Sequence, residues 1–423
     1  MNILPAARPQ PMAPRVAIVH EWLEHYAGAE RGLEQLGLMY PHAALFAIGD
    51  FMPPDRRDFL GGRSVETTFI QKLPFSRRYF RYYLGLMPIA VEQLDLAGFD
   101  LVISSNHAVA KGVITGPDQV HVCYVHSPMR YAWDMQAAYL RHGGMERGIK
   151  GIYARWLLHR LRNWDVRSAA GVDVFVANSS YIARRIRKVY RREAVIVYPP
   201  VDIDRFHEKM LPRREAYVVI SRMVPYKRID LVVEAFRRMP HRVLHVAGDG
   251  PERDRIEAVA AGAPNIIFRG RVSDAQVLEM MQEAQACGTP LIVFGRGGAC
   301  DIVRDADDPE GPTGVFFEEQ EPDAIIDAVE RFEAMRDRMT ARACRANARR
   351  FSHAGCTRRD RSRMETGKAE AMCNDDPGCR TDSVSAVPAV MDASAADAPY
   401  PAACRDSACG GGTGAGWVGG TAC

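Results

Sequence analysis

Short apolar runs recur along residues 15–200, separated by helical or loop sequence. Arg15–Trp22, Ala44–Ile48, Asp100–Ser104, His121–Val125 and Val172–Ala177 each have the continuous apolar character of strands covered on both faces of a parallel sheet. After the first run, Leu33, Leu36, Gly37 and Tyr40 recur at helical spacing, and Val195–Tyr198 closes the series. The proline-marked, polar stretch at 201–215 reads as a hinge. A second series begins with a strand at Ala216–Ser221, a helix at Ile229–Met239 and a strand at Val243–Ala247. It continues with a helix from Glu252, a strand at Ile266–Val272 and a helix at Asp274–Cys287, then strands at Leu291–Phe294 and Gly314–Phe317 and a helix at Asp323–Met335. The pattern predicts an α/β protein of two doubly wound, Rossmann-like domains, 15–200 and 216–352.

Both ends break this pattern. Residues 1–14 lack the apolar core of a signal peptide, and no run in the chain reaches the roughly 18 residues of a membrane span. Residues 353–423 contain no Leu, Ile or Phe and drift into a glycine-rich sequence, so they are expected to be a disordered tail. Gly414, Gly416 and Gly419 imitate a dinucleotide fingerprint there, but without a strand before them or a helix after them the match is accidental. Six of the ten cysteines fall in this tail without zinc-site spacing, and the other four form no CxxC pair, which suits reduced thiols in a cytoplasm. The remaining composition, 47% apolar and 25% charged with a net charge of +3, is ordinary for a globular protein of 423 residues.

Four features carry candidate chemistry. Gly28 lies between the first strand and its helix, where free backbone N–H groups and a helix N-terminus can receive an anion. Arg222 and Lys227, at a strand's carboxyl end and just before a helix, make a clamp of diphosphate size, with solvated surface cations as the alternative. His126 follows a buried strand directly and faces the crevice where α/β sheets bind ligands; His20 competes for that role. Glu283 opens the stretch Glu283–Gly298, a helix end, a strand and a glycine turn that either brings backbone to a ligand or simply connects two elements. The absence of a P-loop, of a metal-ligand cluster and of a G-x-S-x-G elbow weighs against an NTPase, a metalloenzyme and an α/β-hydrolase. Two facing sheets edged with these groups suit a nucleotide diphosphate compound.

Several motifs in order, HEWLEHYAGAER, SSNHAVAKGV, CYVHSPMRYAWD, VANSSYIARRI, VYPPVDIDRF, SRMVPYKRIDLVVEAF, AGDGPERDRI and EAQACGTPLI, resemble family 4 glycosyltransferases. The likeness is greatest to bacterial mannosyltransferases of O-antigen and exopolysaccharide assembly, and it covers residues 15 to about 352. The resemblance implies a GT-B fold, a nucleotide-sugar donor, retention at the anomeric carbon, and neither metal nor other cofactor. It puts Gly28 beside the donor diphosphate, His126 near the transferred sugar, Arg222 and Lys227 on the diphosphate, Val272 by the nucleobase and Glu283 on the ribose hydroxyls. The implied activity is transfer of a hexose, mannose from GDP-mannose, to a lipid-linked or saccharide acceptor in bacterial surface-polysaccharide (lipopolysaccharide) synthesis.

Two departures qualify that expectation. Glu283 matches the second acid of the family's Glu-x7-Glu motif, but Met280-Met281-Gln282 runs straight into it and Glu279 lies only four residues before it. A strand and an acidic loop are therefore expected to be missing, leaving the second domain one strand short. An alternative reading follows: a catalytically impaired remnant that binds nucleotide-sugar without transferring it. The other departure is the tail, where similarity fails near Ser352 as it would after a shifted reading frame.

Charge is unevenly spread: residues 141–192 hold 13 Lys or Arg against 3 Asp or Glu. Helical spacing over Arg147–Trp164 groups Ile149, Ile152, Tyr153, Trp156, Leu157, Leu161 and Trp164, and Phe75–Leu84 interleaves basic and aromatic residues. Such faces either cover the first domain's own sheet or dock on an anionic leaflet. With a lipid-linked acceptor, a cytoplasmic protein peripheral to the inner face of the plasma membrane is expected. Nucleic acid is not expected as a partner, because no reading motif accompanies the basic patch.

Overall fold

The computed structural model describes residues 14–26, 28–199, 216–270 and 288–351. The expected hinge, the expected tail, Val272 and Glu283 lie outside them. Within them the first half forms one seven-stranded sheet, all parallel, in the order β3-β2-β1-β4-β5-β6-β7. Its strands are β1 (Val16–Leu23), β2 (Ala44–Asp50), β3 (Val65–Thr67), β4 (Leu101–Asn106), β5 (Val120–Val125), β6 (Val174–Ala177) and β7 (Val195–Ile196). The chain winds outward from β1 to β3, then returns to the other side of β1 with β4. That reversal makes the carboxyl ends of β1 and β4 a topological switch point, the usual place for a ligand crevice.

Side chains alternate between the faces of this sheet, as the two-residue period of a strand requires. Ala17, Val19, Phe46, Ile48 and Val102 pack on one side with Phe80, Met87 and Trp164. Val16, Ile18, Leu45, Leu101 and Ile103 pack on the other with Leu33 and Leu36, which belong to helix α1 (Gly28–Met39). The edge strand β3 went unread in the sequence because three residues are too few to show an alternation.

The long helix of this half, Gly148–Ser168, corrects one expectation. Leu161 and Trp164 are buried with Ala154, Leu158 and Asp165, whereas Ile149, Ile152, Tyr153 and Trp156 are exposed on the opposite side. The seven residues grouped from spacing therefore do not share one face. The first four form an outer stripe, and Leu161 and Trp164 point into the core. Leu157 lies between the two sides, against Gly85.

In the second half, β8 (Ala216–Ile220), β9 (Val243–Ala247) and β10 (Ile266–Gly270) form one parallel sheet, and β11 (Leu291–Phe294) and β12 (Gly314–Phe317) form another. No strand among the described residues joins β8 to β11. A single apolar cluster nevertheless spans both pieces. Val219, Leu244 and Val246 share it with Phe294, Val315 and Phe317, together with Val232, Val233 and Phe236 of the helix Ile229–Arg237. The helix Pro322–Met335 adds Ile325, Ala328 and Val329.

Candidate functional site

The switch point of the first sheet is built around a buried carboxylate. Glu21 sits in β1 with no exposure and accepts backbone N–H bonds from His107 (2.9 Å), Ala108 (2.6 Å), Val109 (3.0 Å) and Ala110 (3.1 Å). Four donors satisfy a charge that would otherwise be prohibitive to bury, and in return the turn after β4 is held in one conformation. Sequence reasoning passed over this residue. The available signal was a carboxylate inside an otherwise apolar strand, which must find several donors to be there.

Three imidazoles meet beside that turn: His20 on β1, His107 after β4 and His126 after β5. Ser105 of β4 lies between two of them, its Oγ 3.1 Å from His20 Nδ1 and 2.9 Å from His126 Nε2. The His126 backbone is tied on both sides, its N–H donating to Asn106 O (2.8 Å) and its carbonyl accepting from Asn178 Nδ2 (3.2 Å). Burial, and after it the neighbours His107 and His20, hold the His126 ring well below the usual histidine range, so it is neutral near pH 7. Gly32 on α1 faces the ring, with room for no more than ordinary contact between its Cβ position and His126 Cε1 (3.5 Å). Gly28 begins α1 and is exposed. The structure thus brings Gly28, His20 and His126 to the same end of one sheet, and the two histidines that competed for one role are joined through Ser105.

Arg222 and Lys227 follow β8. The loop carrying them is pinned to the turn after β9: Ser221 N–H donates to Ala247 O (3.0 Å), Met223 N–H to Asp249 O (2.9 Å) and Glu252 N–H to Met223 O (3.2 Å). Gly248 and Gly250 permit this approach. Their φ values are 131° and 158°, and a Cβ on either would stand 1.9 Å from Ser221 O or 2.3 Å from Met223 O. Arg222 is exposed. Lys227 is half-buried, and its ammonium is lowered to about 8 by desolvation first and by Arg130 second.

Arg130 belongs to the other half, in the loop that follows His126. Its guanidinium lies over the ring of Tyr226, 5.8 Å from the centroid. The His126 loop and the Arg222–Lys227 loop therefore face one another directly. A second contact between the halves is made by Asp301, which accepts from the backbone N–H (2.8 Å) and hydroxyl (2.6 Å) of Ser180 at the start of the helix Ser180–Tyr190. Two carboxyl-terminal sheet edges so opposed, one with a neutral histidine and one with cations, can hold a polar, polyanionic molecule between them. Among the described residues no group of His, Cys, Asp and Glu has the arrangement of a metal site, and no helix is long and apolar enough to cross a membrane.

Two α/β units whose parallel sheets present their carboxyl ends to each other define the GT-B class. An Anabaena protein, HepE, solved in complex with UDP, superimposes with a TM-score of 0.59 at 15% identity, covering 83% of this chain and all of that one. A glycosyltransferase from Rickettsia africae superimposes with a TM-score of 0.54 at 16% identity, covering 85% and 99%. Residues 42–205 match the profile described as Glycosyltransferase Family 4, and residues 214–334 match the one described as Glycosyl transferases group 1. The chain belongs to glycosyltransferase family 4. It is similar to a GDP-mannose-dependent alpha-(1-6)-phosphatidylinositol monomannoside mannosyltransferase of Mycolicibacterium smegmatis, 28% identical over 42% of this chain and 55% of that protein. It is also similar to a D-inositol 3-phosphate glycosyltransferase of Geodermatophilus obscurus, 28% identical over 43% and 50%. The chain thus spans about half the length of these curated relatives.

Proposed function

We propose that this chain transfers a hexose, mannose from GDP-mannose, with retention of configuration, to a lipid-linked or saccharide acceptor of bacterial surface-polysaccharide assembly. The observation that carries this reading is the opposition of the His126 loop to the Arg222–Lys227 loop, with Arg130 and Tyr226 in contact between them. Departure of a nucleoside diphosphate leaves positive character on the sugar and builds negative charge on the leaving phosphate. Arg222 and Lys227 supply fixed cations where that charge grows, and Gly28 at the start of α1 offers backbone donors from the opposite side. His126, neutral and anchored through its backbone, is the group for a sugar hydroxyl. In this reading Val272 lies by the base and Glu283 holds the ribose. Mannosyltransferases that use GDP-mannose among the relatives support the donor assignment.

Calorimetry with GDP, GDP-mannose and UDP-sugars, followed by a transfer assay, tests the reading. GDP-mannose is expected to bind and turn over, and Arg222→Ala is expected to lower the rate by on the order of 10²–10³. Tighter binding and turnover of a UDP-sugar would overturn the donor. Binding without turnover would favour the second reading, an impaired nucleotide-sugar-binding remnant. That reading is carried by Met280-Met281-Gln282 abutting Glu283, which leaves no partner eight residues before it.

The acceptor side of the proposal rests on an exposed aromatic and aliphatic patch. Ile149 (86% exposed), Ile152, Tyr153 and Trp156 adjoin the segment of Phe75 (78%), Tyr79 and Tyr82 (83%) where Leu157 meets Gly85. Phe75 holds φ at 53°, an uncommon conformation for a bulky residue, and Arg78 and Arg160 lie over Tyr79 and Trp156. Apolar side chains framed by arginine suit the surface of an anionic leaflet, where the chain would sit peripherally on its cytoplasmic side. Flotation with anionic liposomes should show binding that weakens as salt rises, and recovery of all protein in the unbound fraction would refute it.

A further inference from the structure

We propose that Glu30, His20 and Ser105 form a hydrogen-bonded relay that fixes which ring nitrogen of His126 carries the proton, leaving its Nδ1 as the acceptor for a hydroxyl of the bound sugar. The assignment of a sugar to this site rests on the function proposed above; the relay itself rests on geometry within the first half.

His20 has no exposure, and its Nε2 has no hydrogen-bond partner. That nitrogen instead faces Glu30 Oε1 on α1 at 3.7 Å, where a carboxylate favours an N–H over a lone pair. The proton that this carboxylate draws to Nε2 leaves His20 a lone pair to offer at Nδ1. Ser105 Oγ, 3.1 Å away, donates its hydrogen to that lone pair. A hydroxyl has only one hydrogen, so toward His126 Nε2, at 2.9 Å, Ser105 can offer only a lone pair. His126 must then hold its proton on Nε2. Its Nδ1, which accepts no hydrogen bond among the described residues, is left bare.

The orientation of each bond follows from the one before it, and the chain starts from a charge on a different element. Ser105 is itself almost fully buried in β4, between β1 and β5, so strand pairing sets the spacing of the two imidazoles on either side of it. His20, Ser105 and Glu30 act through His126 and are positioning residues. A merely structural reading, a buried serine satisfied by two histidines, makes no claim about which nitrogen is protonated.

The test reads the proton directly. Full-length protein labelled with ¹⁵N-histidine reports the tautomer of each imidazole in two-bond nitrogen–proton correlation spectra, without substrate. In the wild type His126 is expected as the Nε2–H form. Glu30→Gln, which can present either a donor or an acceptor to His20, and Ser105→Ala, which cuts the chain, are both expected to give a mixture with substantial Nδ1–H. Calorimetry should then show GDP-mannose binding about three- to tenfold more weakly to both variants, the loss of one well-formed hydrogen bond, with GDP affinity unchanged. An Nδ1–H ring in the wild type, or an unaltered Nε2–H ring in the folded Glu30→Gln protein, would overturn the relay. Failure of GDP-mannose to bind the wild type would sink the donor assignment alone, since the tautomer measurement stands without it.

Discussion

The first half knits seven strands into one sheet and buries Glu21, Lys111 and Asp165 within it; the second holds three strands and two, with Arg304 its only buried charge among the described residues. In the first half those polar groups bind distant segments together. Lys111 Nζ reaches Asp165 Oδ1 (2.8 Å), the Asp165 carbonyl (2.9 Å) and Ser168 Oγ (2.6 Å), and lies over the rings of Trp164 and Tyr190. Asp165 also accepts from Trp133 Nε1 (2.8 Å) and from the Tyr190 hydroxyl (3.1 Å). The second half is held by its apolar cluster and by surface pairs such as Arg242 with Glu333 and Arg253 with Glu257, which contribute little individually. A half whose register is fixed by buried charge should be brittle to single polar changes. A half fixed by apolar contact and backbone fit should be brittle to changes in the backbone.

The largest expected effect is that of Lys111→Met. It strands the Asp165 carboxylate in the core and should cost about 3–5 kcal/mol in urea unfolding, whereas Lys111→Met with Asp165→Asn, which removes the stranded charge and keeps an acceptor for Trp133 and Tyr190, should recover part of that loss. A single-variant cost under about 1 kcal/mol would remove the contrast between the halves.

Acid should expose the same brittleness more gently. His121 is buried, with Nε2 2.8 Å from Ser104 Oγ and Nδ1 3.0 Å from Gly171 O, and burial lowers its pKa from 6.5 to about 4. Below pH 6.5 the unfolded chain takes up a proton that the folded chain refuses. The stability this group contributes is therefore complete above pH 6.5 and drains away as pH falls toward 4, by about 3 kcal/mol in all. His121→Asn, which cannot titrate, should flatten that part of the stability curve. An unchanged slope in the variant would place the acid sensitivity elsewhere.

In the second half the corresponding weak point is backbone. Gly248→Ala puts a Cβ onto Ser221 O at a φ of 131° and should cost about 2 kcal/mol or more, displacing the loop that carries Arg222. GDP affinity should fall with it, while near-ultraviolet signals from Trp133 and Trp164 in the first half stay native. Intact GDP binding in Gly248→Ala would mean that the loop does not need this close approach.

These differences also explain what could be read from the sequence. Continuous apolar runs gave β1, β2, β4, β5 and β6 to within about two residues, because a strand buried on both faces leaves no other pattern. The helix Ile229–Arg237 was equally legible from Ile229, Val232, Val233 and Phe236. His126 was singled out because it follows directly on a strand, and Arg222 and Lys227 because they lie in the loop between a strand and a helix. Glu21, Ser105, Lys111 and Asp165 were not, since their significance lies in partners tens of residues away: Ser105 meets His126 across 21 residues, and Lys111 meets Asp165 across 54. The grouping of Leu161 and Trp164 on one face with Ile149, Ile152, Tyr153 and Trp156 failed for a related reason. Periodicity finds an amphipathic face but cannot say which of two apolar stripes on one helix meets the core.

The smallest effect falls between the halves, at Asp301. Its carboxylate takes the backbone N–H and the hydroxyl of Ser180 at the positive end of a helix of 11 residues, whose own cap is Ser179, its Oγ accepting from Ile182 N–H. Because Ser179 already serves the helix, Asp301 is an added charge from the other domain and not the cap itself. Asp301→Ala should therefore cost only about 1 kcal/mol, and Asp301→Asn about half of that, since the amide oxygen can still accept while the charge at the helix end is gone. Both costs should shrink as salt rises, the Asn cost by the larger fraction because it is the loss of the charge alone. If the contact couples the halves, Asp301→Ala should also let the second half unfold ahead of the first, splitting one urea transition into two. Equal costs for Asn and Ala would show that the hydrogen bonds count for nothing beyond the charge, and an unsplit transition would leave the Arg130–Tyr226 contact as the stronger tie.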